Sequence, residues 1–141
     1  MKEFLDTSVL VAAFREDHPH HEPSFRLFEN TNKTRSCCAL HSLAEFYATM
    51  TALPVKPAIP PEQALLFIGE IRDRLTSVFL DADEYHDEIV RAAGQGVARG
   101  RIYDALILRC AAKSKAQVIY TWNLRHFHSI APHLAPLIQT P

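Results

Sequence analysis

Short apolar or β-branched runs alternate with helix-period segments along nearly the whole chain, and that alternation most constrains the fold. Glu3-Phe4-Leu5 reads as a first strand, followed by a helix from Ser8 to Phe14 and another from His20 to Glu29. Arg35 to Ala39 reads as a second strand, and Ser42 to Leu53 as an amphipathic helix with Leu43, Phe46, Tyr47 and Met50 on its apolar side. A helix over Gln63 to Arg72, a strand over Ser77 to Leu80 and a helix over Glu84 to Ala98 follow, the last with Asp83 as its expected cap. Ile102 to Lys113 reads as a strong helix, Val118 to Tyr120 as a strand and Leu124 to Phe127 as a short helix. Strands alternating with helices predict an α/β fold: a mostly parallel sheet covered by helices on both faces. Ligands of such sheets sit beyond the carboxyl ends of the strands.

With 141 residues the chain suits a single domain, 1–141, with a genuine core. The proline-rich stretch Pro54 to Pro61 resembles a linker but is better read as a stiff loop whose last prolines start a helix, with Glu62 in its first turn. Splitting the chain there would leave two pieces too small for good cores. No apolar run reaches the length of a membrane span, and the acids near the start are unlike an export signal. Cys37, Cys38 and Cys110 lack metal or disulfide spacing, which leads us to expect buried, reduced thiols in a cytoplasmic protein.

The formal net charge of −1 conceals an asymmetry. Residues 1–93 carry nine Lys/Arg against fifteen Asp/Glu, whereas residues 94–141 carry six Lys/Arg against Asp104 alone. A basic last third suits a surface that meets phosphates, and solvated helix faces would give the same count.

Three acids are candidate metal ligands. Asp6 stands where the first strand ends and a helix begins; it could be an N-cap, a role Thr7 or Ser8 could also take, which would free its carboxylate for the crevice. Glu45 lies among apolar and small residues with no Lys or Arg three or four positions away; His41 is its one available helical partner. Asp104 opens an otherwise apolar helix, where an acid is mildly favourable, yet it is the only acid after Glu88. Dispersed carboxylates suit a hard cation such as Mg²⁺, which takes oxygen ligands and keeps several waters. Such ions assist in-line displacement at phosphorus.

At this point four segments together resemble a known family. Leu5-Asp6-Thr7-Ser8-Val9-Leu10-Val11-Ala12-Ala13-Phe14 resembles the opening motif of PIN-domain ribonucleases, and Ser42-Leu43-Ala44-Glu45-Phe46-Tyr47 their second. Ile102-Tyr103-Asp104-Ala105-Leu106-Ile107 is similar to the third motif, and Tyr120-Thr121-Trp122-Asn123-Leu124-Arg125-His126-Phe127 to the fourth. The chain's size resembles that of the VapC toxins of toxin–antitoxin pairs. The resemblance implies an α/β/α sandwich, an endoribonuclease dependent on Mg²⁺ or Mn²⁺, a small antitoxin partner and a homodimer. It implies catalytic roles for Asp6, Glu45 and Asp104; Asn123 of the fourth motif is a further catalytic candidate. Thr7, Ser8 and Thr121 are expected to hydrogen-bond the ligands, and Arg99, Arg101 or Arg125 of the basic last third to meet the RNA backbone.

One departure stands out. Many relatives carry an acid in the fourth motif, where this chain has Asn123 and His126. An amide brings no charge, so we expect one well-held metal. A degenerate site that binds nucleic acid without cutting is the alternative. A receiver-like signalling domain ranks last, because no Lys follows the strand at Val118–Tyr120.

Other features have two readings each. Asp17-His18-Pro19-His20-His21-Glu22 is a polar turn before a helix or a metal-binding tract. Asp81-Ala82-Asp83-Glu84 is a helix start or an imitation of a phospho-accepting pocket. Trp122 and Tyr103 are packing residues or platforms for RNA bases.

Overall fold

The computed structural model describes residues 1–141. Five strands form one sheet: β1 (Glu3–Leu5), β2 (Ser36–Ala39), β3 (Thr76–Val78), β4 (Val118–Tyr120) and β5 (Ile138–Gln139). Their order is β3-β2-β1-β4-β5, and every neighbouring pair is parallel. The helices are α1 (Thr7–Phe14), α2 (His21–Glu29), α3 (Leu40–Thr51), α4 (Pro61–Arg74), α5 (Ala82–Gly94), α6 (Arg101–Ser114) and α7 (Leu124–Ile130).

Period-two alternation along the strands divides the core. Phe4 and Cys37 point to one face, where they join Ile107, Leu108, Ile119 and Phe127. Leu5 and Cys38 point to the other, among Leu10, Phe46, Met50 and Ile71. The adjacent cysteines thus belong to different cores. All three cysteines are buried free thiols, and burial pushes Cys38 up to about 12 and Cys110 up to about 11. No helix is long and apolar enough to cross a membrane.

Most of the expected elements are present, with shifts at their ends. Pro61 starts α4, as the proline-rich loop implies. The expected cap at Asp83 is corrected. Asp81 caps α5, accepting from the Glu84 N–H at 2.8 Å while Glu84 Oε1 accepts from the Asp81 N–H at 3.0 Å. That reciprocal pair satisfies two otherwise orphaned donors, so the helix starts at Ala82. It ends at Gly94 rather than Ala98, because the chain turns at Gly96, whose φ of 73° suits glycine. A 3-10 helix (Pro132–Leu137) and β5 were not anticipated; a two-residue strand carries no readable period.

The strand order matters for function. From β1 the chain builds outward through β2 and β3, then returns to place β4 on the other side of β1. The crevice beyond the carboxyl ends of β1 and β4 is therefore the switch point at which a sheet of this type offers a binding site.

Candidate active site

Asp6 follows β1 directly, and Thr121 follows β4. The Asp6 N–H donates to the Tyr120 carbonyl at 2.9 Å, tying the two strand ends together. Sequence reasoning left open whether Asp6 or its neighbours cap α1; it is Asp6, which accepts weakly from the Ser8 N–H at 3.4 Å. Capping and site roles coexist, since Ser8 Oγ and Thr121 Oγ1 also donate to the same oxygen, Oδ2, each at 2.8 Å. Ser8 Oγ in turn accepts from the Trp122 N–H at 3.0 Å, and Thr121 Oγ1 from the Asn123 N–H at 2.9 Å. Burial raises the Asp6 pKa and outweighs the opposing hydrogen bonds from Ser8 and Thr121.

Glu45 reaches the same place from α3. Thr7 Oγ1 donates to Glu45 Oε1 at 2.8 Å and lies 2.8 Å from Ser42 Oγ, so the first turn of α1 fixes the carboxylate of α3. His41, the helical partner foreseen for Glu45, stands 3.8 Å from Oε2 with its Nε2 buried and lacking a hydrogen-bond partner.

Asp104 faces the crevice from the first turn of α6 and is half-buried. Burial, then the charges of Asp6 and Glu45, push its carboxyl up to about 6; His126 and Arg101 oppose that rise. His126 Nδ1 lies 3.9 Å from Asp104 Oδ2. Unlike at Asp6, no hydrogen bond opposes the rise at Asp104.

The three acids and Asn123 line one cleft of about 560 Å³ together with Thr7 and Ser8. Mutual repulsion strong enough to help raise Asp104 is the mark of a carboxylate set that a cation would relieve. The acids do not close into a chelating shell, for no group of three His, Cys, Asp or Glu side chains is drawn that tightly together. An open set fits an oxygen-preferring ion that keeps its waters better than one needing a complete protein cage.

The basic residues named from the sequence lie on the surface. Arg99, Arg101 and Arg125 are exposed and do not line the cleft, although Arg101 is close enough to Asp104 to lower its pKa. The cleft's own cation is Arg15, joined by His18 and His20. The histidine tract is the turn before α2, and it folds back as a wall of the cleft. Its composition drew notice in the sequence, but Arg15 gave no signal there. Trp122 is half-buried and lines the cleft: it stacks on His20 with ring centroids 3.8 Å apart and donates from Nε1 to Ser24 Oγ at 2.8 Å. Tyr103 is 46% exposed and stacks on His41.

Comparison with known proteins bears on the family and the fold. The PIN-domain family model matches residues 4–131. Ribonuclease VapC40 of Mycobacterium tuberculosis is 32% identical over 120 residues, covering 85% of each chain. Among solved structures, VapC20 of M. tuberculosis, described as a toxin that cleaves the sarcin–ricin loop, is similar with a TM-score of 0.69 at 17% identity, covering 86% of this chain and 90% of that one. VapBC2 from Rickettsia felis, bound to a DNA fragment from its promoter, gives a TM-score of 0.67 at 20% identity over 100% of this chain and 99% of that one. DNA-bound VapBC from Salmonella typhimurium gives 0.64 at 24% identity, covering 100% and 97%. These structural likenesses speak for the fold, and the family match with the VapC40 identity speaks for kinship: the chain belongs to the PIN-domain family, with VapC proteins as its relatives.

Proposed function

We propose that this chain is an endoribonuclease of the VapC kind whose Asp6, Glu45 and Asp104 hold a divalent cation, Mg²⁺ with Mn²⁺ as a substitute. The observation that carries the reading is the convergence of three carboxylates from β1, α3 and α6 on one cleft, with Asp104 raised to about 6 by burial and the other two. A cation there supplies charge neutralisation at the phosphate and a more acidic water.

The chain's own groups do the positioning. Ser8 and Thr121 hold Asp6 Oδ2, and Thr7 holds Glu45 Oε1, so two carboxylates are fixed before any ligand arrives. Asp104 is held more loosely and adjusts to the ion. Below about pH 6 it carries a proton and offers no charge; above it, the carboxylate is free to ligate. The Asn123 amide, exposed at the mouth of the cleft, is placed to orient a water or a phosphate oxygen. Because the amide is neutral, one ion is expected to be well held, with any second arriving with the RNA. Arg99, Arg101 and Arg125 would meet the RNA backbone outside the cleft, which makes binding fall steeply with salt.

Purified protein incubated with bulk RNA, with and without chelator, tests the reading. Cleavage should require the cation and vanish in Asp6→Asn and Asp104→Asn; cleavage surviving in either variant would refute it. Asn123 in place of an acid favours one second reading, a binder that does not cut. Tight RNA binding with no cleavage in Mg²⁺ or Mn²⁺ would select it.

The same kinship supports a toxin role for residues 1–141 acting as one unit, restrained by a small antitoxin and assembled as a homodimer. Two of the solved relatives are VapBC proteins bound to DNA. Co-purification of a small partner from the native host, and the mass of the free chain in solution, test these two points.

A further inference from the structure

The cleft is polarised. Its acids lie where β1, α3 and α6 meet, whereas its far wall is built from the chain that leaves α1, where Arg15 is the only Lys or Arg among the lining residues. Arg15 has one side-chain partner, and that partner is exposed. Nη2 reaches Asp17 Oδ2 at 3.1 Å, but the Asp17 side chain is 65% exposed, and a pair so open to water is held loosely. Arg15 Nε is buried and has no hydrogen-bond partner at all. A buried donor of this kind costs stability while it goes unpaired.

His18 stands beside it. Its Nδ1 accepts from the His20 N–H at 3.0 Å, which places the ring proton on Nε2 and makes that atom a donor. Burial and the adjacent Arg15 charge hold the imidazole below its ordinary pKa, so it serves as a neutral donor near pH 7.

Planar guanidinium donors beside an N–H donor suit phosphate oxygens. Single-stranded RNA carries one such charge per nucleotide, so a strand whose scissile phosphate lies at the acids presents a neighbouring phosphate along the cleft. We propose that Arg15 and His18 form the subsite for an RNA phosphate neighbouring the one that is cut. Resting on the ribonuclease reading above, this assigns the direction in which the substrate leaves the acids: along α1 toward the turn at residues 15–20. Asp17 acts as a stand-in anion that the phosphate displaces.

The full chain, kept in chelator so that nothing is cut, is titrated against a short fluorescent single-stranded RNA, and anisotropy gives the affinity across a series of salt concentrations. Arg15→Gln should weaken binding about tenfold and flatten the slope of log affinity against log salt by about 0.7, the value for one lost phosphate contact on a single strand. Arg15→Lys should restore the slope but only part of the affinity, because an ammonium lacks the fork. His18→Gln should weaken binding with the slope unchanged. Asp17→Asn should tighten binding two- to threefold, on the order expected for removing a competing exposed anion.

A wild-type chain that fails to bind the oligonucleotide, or an Arg15→Gln chain with unchanged affinity and slope, overturns the proposal. Should Arg15→Gln fail to fold, Asp17→Asn decides alone: tighter binding supports the subsite and unchanged binding removes it. Chelator-sensitive cleavage by the wild-type chain is read in a separate assay, so loss of the subsite and loss of the ribonuclease reading give different results.

Discussion

Thr121 Oγ1 donates a 2.8 Å hydrogen bond to Asp6 Oδ2 across 115 residues of sequence, joining the end of β4 to the end of β1. The same hydroxyl accepts from the Asn123 N–H at 2.9 Å, so one fully buried side chain sets both the carboxylate and the loop that carries Asn123. Thr121→Val keeps the volume but removes the hydroxyl. It should cost about 1–3 kcal/mol of stability, the usual penalty for stranding buried polar groups. RNA cleavage should fall about tenfold, a change equivalent to ~1.4 kcal/mol in the barrier. Thr121→Ser should retain most of both. Thermal unfolding and initial cleavage rates of the two variants measure this, and equal rates for valine and threonine would remove the hydroxyl from the site.

The pH dependence of the metal-free protein follows from Asp104. Its carboxyl is raised from an ordinary 3.8 to about 6, so the folded chain binds this proton more tightly than the unfolded chain. A raised pKa contributes stability that is fully present below the unfolded value and is lost as the pH climbs through about 6. A shift of this size corresponds to at most ~3 kcal/mol, less whatever solvent screens at the partly exposed side chain. Asp104→Asn stays neutral at every pH. In chelator it should therefore unfold at a higher temperature than the parent at pH 7.5, with the gap closing by pH 4. A variant less stable than its parent at pH 7.5 would show that repulsion does not dominate there.

Adding the cation should reverse that relation. Mg²⁺ or Mn²⁺ that binds the folded chain alone stabilises it by mass action, about 2.7 kcal/mol at a hundred times the dissociation constant. The gain should be seen in the parent and be absent from Asp6→Asn and Asp104→Asn. It should also weaken as the pH falls below about 6, where the Asp104 proton competes with the ion. Melting temperatures across a metal titration at pH 7.5 and pH 5 check both statements; a shift of equal size in Asp104→Asn would place the ion elsewhere.

The fold and its acids were legible in unequal measure. Phe4 and Leu5 alternate between the two cores as a strand period requires, and local pattern alone carries that information. Asp6 could be placed because it follows the apolar run directly. Strand order could not be read locally, so the switch point between β1 and β4 that gives Asp6 and Thr121 their common location emerged only in three dimensions. The hold of Thr7 on Glu45 depends on how α1 meets α3, which no spacing states. Arg15 was invisible for the same reason: its place in the cleft depends on the return of the loop before α2. The Asp81–Glu84 box differs, since Asp-x-x-Glu stands in the sequence; Asp83 simply competed with it as a cap.

Glu88 provides a contrast with the catalytic candidates. It is fully buried, yet it lies between Arg91 of α5 and Arg109 of α6, so its charge is already matched within the protein. It does not line the acidic cleft, and its partners join two helices rather than await a ligand. Removing Glu88 deletes the acceptor of both Arg91 hydrogen bonds and leaves two guanidiniums that water reaches, a loss of about 1–3 kcal/mol. Glu88→Ala should therefore lower the denaturation midpoint in chelator, where Asp104→Asn should raise it. Glu88→Gln, whose single amide oxygen keeps one of the two acceptor contacts to Arg91 without the charge, should fall between Glu88→Ala and the parent. At a temperature where both remain folded, metal-dependent cleavage per folded molecule should match the parent. Urea unfolding paired with cleavage rates separates the two roles, and a Glu88→Gln chain that is fully folded but inactive would move Glu88 from the framework of the fold into its chemistry.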